Sequence, residues 1–131
     1  MSEENVIAVS NLTKWFPVRR GFLQALLSRK ESFVRAVDGI SFEIEPKEVF
    51  GLAGESGSGK TTTGRLILKI IDPTCGKLFF KGEDITKLTR KQMKRKQLRR
   101  KMQTVFQDPY ESLNPRKTVM DIIAEGVRIQ K

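Results

Sequence analysis

The stretch that most constrains the possible folds of this chain is GESGSGKTT at Gly54–Thr62, which fits the pattern G-x-x-x-x-G-K-[ST]. Glycines let a backbone approach phosphate oxygens closely, and successive N–H groups then line an anion-binding nest. The apolar run VFGLA before it predicts a short buried strand at Val49–Ala53, and the residues from Lys60 onward predict a helix. A helix N-terminus here adds its positive dipole end. The context therefore favours a phosphate-binding loop over a glycine-rich turn that matches by chance.

The loop pattern assigns a chemical role to each position. The Lys60 ammonium would reach the β- and γ-phosphates of a nucleoside triphosphate, and the Thr61 hydroxyl would ligate Mg²⁺. The predicted nucleotide-binding residues of the loop are Gly54, Glu55, Ser56, Gly57, Ser58, Gly59, Lys60, Thr61 and Thr62.

Positive charge is concentrated in one segment. Arg90–Met102, RKQMKRKQLRRKM, holds eight basic residues and no acid, so the rest of the chain carries only +2 of the net +10. A solvated helix face, a nucleic-acid contact and an anionic lipid contact all fit such a segment. No aromatic residue interleaves the charges to stack on bases, which favours the solvated face.

Several chemistries are excluded by composition. The chain has no histidine, so catalysis by histidine and histidine–metal sites are both ruled out. Its one cysteine, Cys75, allows no internal disulfide and suits a reducing cytosol. The start MSEENVIAVSNL has no basic segment and no long apolar run, so it predicts neither a signal peptide nor a membrane span.

Strand and helix patterns alternate along the chain, which predicts an α/β architecture with parallel strands. An irregular insertion is expected at Pro17–Arg35. The predicted strands are Val6–Leu12, Ile40–Ile44, Val49–Ala53 and Lys77–Phe80. The predicted helices run from Lys60 to Ile71, where Asp72-Pro73 ends the first one, through the basic segment from near Thr89, and onward from near Thr118.

Three longer stretches carry a family resemblance. VDGISFEIEPKEVFGLAGESGSGKTT, PTCGKLFFKGEDI and MQTVFQDPYESLNPRKTV together resemble the N-terminal half of an ABC transporter ATPase. The insertion, GESGSGKTT and FQDPYESLNPR are similar to the ATPases of oligopeptide and dipeptide importers. In PKEVF the glycine that the family usually has before the glutamate is missing, which should alter only a surface turn.

The resemblance implies a fold and a domain division. The fold class is α/β, an incomplete P-loop NTPase core of the ABC ATPase type, with an N-terminal antiparallel β portion and the start of a helical subdomain. Residues 1–106 would be the N-terminal part of the nucleotide-binding domain, with the insertion at 17–35. Residues 107–131 would hold the Q-loop and the start of the helical subdomain.

Further site residues are implied by matching positions in the family. Phe16 aligns best with the aromatic that stacks on adenine, with Trp15 as its competitor. Gln107 matches the Q-loop glutamine, which would meet Mg²⁺ and position the attacking water. The cofactors are then ATP and Mg²⁺. The residues expected to face the transporter membrane subunits are Tyr110, Ser112, Leu113 and Asn114.

The sequence contains no LSGGQ signature, no strand ending in Asp-Glu and no switch histidine. The resemblance therefore implies a chain that binds Mg-ATP without hydrolysing it alone, and whether it is an enzyme stays open. It implies membrane subunits and a second ATPase subunit as partners, no nucleic-acid partner, and a place in the cytoplasm on the inner face of the cell membrane. The alternatives are a nucleotide-binding interaction module without turnover and a basic nucleic-acid-binding protein.

Overall fold

The computed structural model describes residues 5–18, 32–105 and 113–130. The chain forms two compact units, residues 1–89 and 90–131. The predicted domain boundary after residue 106 stays a prediction. In chain order the elements are β1 (Ile7–Pro17), β2 (Phe33–Ile44), α1 (Lys60–Ile67), β3 (Cys75–Phe80), β4 (Glu83–Asp84), α2 (Arg90–Arg95), α3 (Leu98–Lys101) and α4 (Val119–Gln130).

The first unit is built on a four-stranded sheet in the order β2-β1-β3-β4, and every neighbouring pair is antiparallel. Ile7 on β1 pairs with Ile44 of β2 on one side and Phe80 of β3 on the other. This sheet is the antiparallel β portion that the family resemblance implies. The expectation of parallel strands is wrong for the described residues, because each of these strands returns beside its neighbour in the opposite direction.

Strands β1 and β2 are both longer than their sequence patterns predict. The prediction ended the first strand at Leu12, but its ladder with β2 continues through register shifts to the pair Pro17↔Phe33. The irregular stretch predicted at Pro17–Arg35 is therefore shorter, and its residues 19–31 lie outside the described part of the chain. Cross-strand hydrogen bonding extended the strands beyond the alternating apolar pattern that marked them.

The core of this unit combines residues of the sheet with residues of α1 and of the segment after β4. Its apolar side chains are all under 10% exposed: Ile7, Val9, Leu12, Val37, Leu66, Leu78, Phe80 and Ile85. Full burial of one such side chain stabilises a fold by about 1.5–3 kcal/mol. Leu66 is the residue of α1 that is completely buried, so it anchors the helix to this core.

The run Val49–Ala53 does not form the buried strand that its sequence predicts. Val49 is 97% exposed and Phe50 is 38% exposed. No described strand lies beside this run to accept its backbone hydrogen bonds, and an apolar run without a ladder stays irregular. Phe50 is held instead by its ring, which stacks on Phe42 of β2 with 4.8 Å between ring centroids.

Helix α1 ends at Ile67, before the predicted stop at Asp72-Pro73. Lys69 adopts a left-handed conformation at φ 53, which breaks the helical path. Its side chain then turns inward, where the ammonium donates to Asp72 Oδ1 and to the Thr86 carbonyl oxygen, both at 2.6 Å. Two polar contacts at one buried ammonium therefore end the helix earlier than the apolar pattern alone predicts.

The second unit holds short helices in place of the single basic helix that was predicted. Gln97 at φ 52 separates α2 from α3. Met93 and Leu98 are buried, whereas the eight basic side chains are exposed. A long helix would need Gln97 in the right-handed conformation, so the prediction of one helix is wrong.

Helix α4 begins close to the predicted position at Thr118. The Asp121 N–H donates to Thr118 Oγ1 at 3.2 Å, which caps the first turn. Its apolar side chains are largely exposed, with Ile123 at 66% and Val127 at 62%. Across 5–18, 32–105 and 113–130, no helix combines the length and apolar character that spanning a membrane requires.

Candidate functional site

The glycine loop forms a surface turn that enters α1 directly. Residues 51–58 are exposed, and Gly59 serves as the N-cap of α1 with φ 94. A Cβ at Gly59 would lie 2.3 Å from the Ala36 carbonyl oxygen of β2. The loop thus turns into its helix hard against the sheet backbone, and only glycine fits both the conformation and the space.

The Lys60 side chain curls back over the loop. Its ammonium donates to the carbonyl oxygens of Gly54 and Glu55, both at 2.7 Å, and to Ser58 Oγ at 3.3 Å. The Ser58 N–H also donates to the Glu55 carbonyl oxygen at 3.2 Å. The cation is therefore already fixed at the centre of the concave turn, which is where the loop pattern needs a phosphate-binding charge.

The start of α1 adds a further attraction for anions. The first N–H groups of a helix have no partner inside the helix, and the dipole places partial positive charge there. No acidic residue occupies the first turn of α1 to compete for these groups. The loop, the Lys60 ammonium and the helix N-terminus therefore offer positive potential at one place.

The chemistry of this loop also fits a magnesium ion that arrives with a nucleotide. Thr61 is exposed in the first turn of α1, next to Lys60. Within the described ranges there is no cluster of three or more Cys, Asp or Glu residues suited to a metal. Mg²⁺ usually keeps several waters and takes one or two protein ligands plus substrate phosphates, so a single hydroxyl suits it.

Of the two candidate aromatics, Phe16 is the better placed to stack on a base. The Trp15 ring is already engaged, because its Nε1–H donates to Asp38 Oδ1 at 3.2 Å and the Arg35 guanidinium lies 4.9 Å over its ring. Phe16 is 39% exposed, with the Lys14 ammonium 5.1 Å from its ring centroid. The stacking role of Phe16 stays a prediction, which this geometry supports.

Strand register places Phe16 near the loop. A Cβ at Gly59 would meet Ala36 and Val37 of β2, and Phe16 pairs with Val34 of the same strand. The offset of two to three residues corresponds to roughly 7–10 Å along the strand. A base stacked on Phe16 is therefore within reach of a phosphate chain held in the loop.

The remaining predicted site residues are only partly described. Gln107, Tyr110 and Ser112 lie outside the described residues, so their roles stay predictions. Leu113 is 44% exposed. Asn114 accepts the Arg116 N–H on its side-chain oxygen at 3.0 Å, which gives that amide a structural task in the turn before α4.

Sequence reasoning missed the residues that support the loop and the aromatic. Ala36 supports Gly59 through a backbone carbonyl, which no side-chain pattern can reveal. Lys14 was overlooked although it stands in LTKWF beside both aromatics. Its ammonium donates to the Asp72 carbonyl oxygen at 2.7 Å, a contact between residues distant in sequence.

A separate open cleft of about 560 Å³ lies at the start of β3. Asp72, Cys75 and Lys87 are among the residues that line it. Cys75 is exposed at the first position of β3. This cleft brings together none of the predicted site residues.

Curated relatives match almost all of the chain. The oligopeptide transport ATP-binding protein AppF of Bacillus subtilis is 44% identical over 124 residues, covering 95% of this chain and 36% of AppF. The oligopeptide transport ATP-binding protein OppF of the same organism is 44% identical, covering 98% of this chain and 38% of OppF. The glutathione import ATP-binding protein GsiA of Escherichia coli is also 44% identical, with 96% and 19% covered. The chain thus spans well under half the length of these relatives.

Solved structures give the same fold. A dimeric structure of MJ0796, a bacterial ABC transporter cassette, aligns with a TM-score of 0.71 at 21% identity, covering 95% of this chain and 48% of that one. The post-hydrolysis state of the same cassette, bound to ADP and Pi, aligns with a TM-score of 0.70. The predicted fold class, part of an ABC ATPase core, is thereby confirmed. Residues 37–131, most of the chain, match the ABC transporter family, and the chain belongs to that family.

Proposed function

We propose that this chain is the nucleotide-holding N-terminal part of an ATPase subunit that serves a peptide importer. The observation that carries the proposal is the loop at Gly54–Thr62, with the Lys60 ammonium fixed above it and α1 starting at its end. The relatives that match most of the chain are named for oligopeptide transport and peptide import, which supports peptides as the transported class.

In this proposal the loop and Phe16 divide the nucleotide between them. The loop amides and Lys60 bind the β- and γ-phosphates of ATP, and Thr61 supplies one ligand to Mg²⁺. Phe16 stacks on the adenine ring, a contact worth about 0.5–1.5 kcal/mol beyond burial. Stacking distinguishes poorly between one base and another, so selectivity for adenine is weak.

Turnover needs groups beyond this loop. Gln107 is the proposed residue for positioning water and Mg²⁺, but the 131-residue sequence has no Asp-Glu strand end to polarise the water. We assign nucleotide binding to the residues of this chain.

The proposed partners are the membrane subunits of the transporter and a second ATPase subunit. Tyr110, Leu113 and Asn114 are the residues assigned to the membrane subunits. This assembly would hold the chain on the cytoplasmic face of the cell membrane.

Calorimetry with Mg-ATP tests the nucleotide site. Lys60→Ala removes charge-assisted hydrogen bonds worth about 1.5–3 kcal/mol, so affinity should fall about 10- to 150-fold. Lys77→Ala is the matched control, since Lys77 is an exposed lysine of β3 and should bind like the parent. Equal affinity for the parent and the Lys60→Ala form would refute the phosphate-loop interpretation.

A hybrid transporter tests the peptide-import assignment. Residues of this chain replace the matching part of AppF in a Bacillus subtilis strain whose peptide uptake depends on AppF. The hybrid should restore uptake, and the same hybrid carrying Lys60→Ala should not. A hybrid that binds ATP normally but restores no uptake would contradict the peptide assignment while leaving the nucleotide site intact.

A further inference from the structure

We propose that Lys14 is a positioning residue for the base: its ammonium holds one face of the Phe16 ring, so that a purine stacks on the other face. The proposal rests on the nucleotide site proposed above. It adds to that site a residue that affects binding of the base, whereas the loop binds the phosphates.

The geometry begins with two side chains on one face of β1. Lys14 and Phe16 are two residues apart, so their side chains project from the same side of the strand. The Lys14 ammonium lies 5.1 Å from the Phe16 ring centroid, within the distance for a cation–π contact. The same ammonium donates to the Asp72 carbonyl oxygen at 2.7 Å. Lys14 is therefore held at its tip by a second partner.

That second partner is itself anchored. The Asp72 carboxylate accepts a hydrogen bond from the Lys69 ammonium at 2.6 Å, and this ammonium also donates to the Thr86 carbonyl oxygen at 2.6 Å. The Lys69 side chain is only 1% exposed. Asp72 follows α1, the helix that begins at the phosphate loop. Lys14 thus connects the stacking ring to the segment that ends the loop's own helix.

A second hydrogen bond ties the strand to the same segment. The Trp15 N–H donates to Thr74 Oγ1 at 3.1 Å, and the Thr74 N–H donates to the Thr13 carbonyl oxygen at 2.7 Å. The backbone on either side of Lys14 is therefore fixed against the segment after α1. Phe16 follows Trp15 directly, so its backbone position is restrained as well.

Two physical effects follow for base binding. A cation on one face withdraws π-electron density from the ring, which improves the other face as a partner for an electron-rich purine. A ring already held in one orientation also loses less conformational freedom when the base arrives. Both effects act on a ligand that has a base and are absent for one that consists of phosphates alone.

The test compares Mg-ATP with Mg-tripolyphosphate, which has the phosphate chain but no base, by calorimetry on the whole chain. The variant is Lys14→Gln, whose amide can still donate to the Asp72 carbonyl oxygen but places no charge over Phe16. Its affinity for ATP should fall about two- to fivefold, and its affinity for tripolyphosphate should not change. Lys14→Arg, which keeps a cation over the ring, should restore the affinity for ATP.

Lys81→Gln is the matched control. The Lys81 ammonium lies 6.0 Å from the Phe80 ring centroid, and Phe80 pairs with Ile7 at the opposite end of β1 from Phe16. The control therefore removes the same charge and the same kind of contact away from the proposed base site. It should bind both ligands like the parent. In a Phe16→Ala background, Lys14→Gln should have no further effect on ATP binding.

Several outcomes would overturn the proposal. Unchanged or tighter ATP binding by Lys14→Gln would mean that the ammonium plays no part or shields the ring. An equal loss toward both ligands would place Lys14 with the phosphates or with the fold. If the parent binds neither ligand, the nucleotide site itself is wrong and the proposal fails with it.

Discussion

The close contact between Gly59 and β2 predicts a specific result for Gly59→Ala. An alanine here would keep φ 94, a conformation that costs an ordinary residue about 1–2 kcal/mol. Its Cβ would also lie 2.3 Å from the Ala36 carbonyl oxygen, whereas real Cβ contacts begin at 3.0 Å. Either the loop or β2 must therefore move away, and forced shifts of this kind cost about 1–3 kcal/mol.

Gly57→Ala provides the matched comparison. Gly57 also has a positive φ of 84, but a Cβ there would meet no atom within 4 Å. The Gly57→Ala variant therefore has only the conformational cost of about 1–2 kcal/mol. The sum for Gly59→Ala is about 2–5 kcal/mol, so the two variants should differ by about 1–3 kcal/mol.

Urea unfolding, followed by the fluorescence of Trp15, the single tryptophan, measures the difference. Gly59→Ala should unfold at a lower urea midpoint than Gly57→Ala with a similar slope. Gly59→Ala should also bind Mg-ATP more weakly, because the displaced loop no longer meets α1 at the same angle. Equal midpoints for the two variants would show that the sheet does not brace the loop, and the reasoning would fail.

Three further results are expected. Lys69→Met should lower the free energy of unfolding by about 1–3 kcal/mol, since it leaves the half-buried Thr86 carbonyl oxygen without its donor. Asp72→Asn, at a side chain 81% exposed, should cost less, and equal losses in chemical denaturation would contradict this. The hydroxyl and then the backbone N–H of Thr86 hold the pKa of Asp84 below its usual 3.8. Asp84 therefore adds stability above that value and loses it as the pH falls through the lower folded pKa, so the stability difference between the parent and Asp84→Asn should vanish in acid melts. Ile123→Lys and Val127→Lys should leave the melting temperature of the 131-residue chain unchanged, because both side chains are exposed on α4; a lower melting temperature would mean that they are packed.

The loop and its helix could be predicted from sequence because their cause is local. The glycines, Lys60 and the apolar spacing of α1 lie within a few residues of one another, and each acts on its neighbours. The start of α4 at Thr118 was predicted for the same reason, since a hydroxyl caps the turn that follows it.

The run Val49–Ala53 could not be placed from its sequence. Its apolar residues indicate a strand, but a strand exists only where another strand completes its hydrogen bonds. Among the described residues that partner is missing, and Val49 is almost fully exposed. The apolar pattern of Val49–Ala53 identifies apolar side chains, but it carries no information about whether a partner strand lies beside them.

The ends of helices were mispredicted where single side chains decided the backbone. Lys69 and Gln97 both adopt left-handed conformations, at φ 53 and φ 52, in stretches that were predicted as helical. Neither residue is a glycine or a proline, so no breaker signal marks it. For Lys69 one of its two contacts is with the Thr86 carbonyl oxygen, 17 residues further along the chain, which local propensity cannot foresee.

The preference for Phe16 over Trp15 as the stacking aromatic came from the family resemblance and stays a prediction. Its physical support is tertiary, because Asp38 and Arg35 of β2 contact the Trp15 side chain while the Phe16 ring is partly exposed.

The contacts that Lys60 makes within its own loop turn ligand entry into an exchange reaction. The Lys60 ammonium already has three acceptors, at 2.7, 2.7 and 3.3 Å, so an anion that binds to it must replace these oxygens. Because existing hydrogen bonds are exchanged for new ones, the free energy of binding depends on the number of oxygens and the charge of the anion. A chloride ion brings one acceptor atom and a single charge, whereas a polyphosphate brings several oxygens and more charge. Under the proposed function, this exchange favours polyphosphates over small monovalent anions before any base is bound.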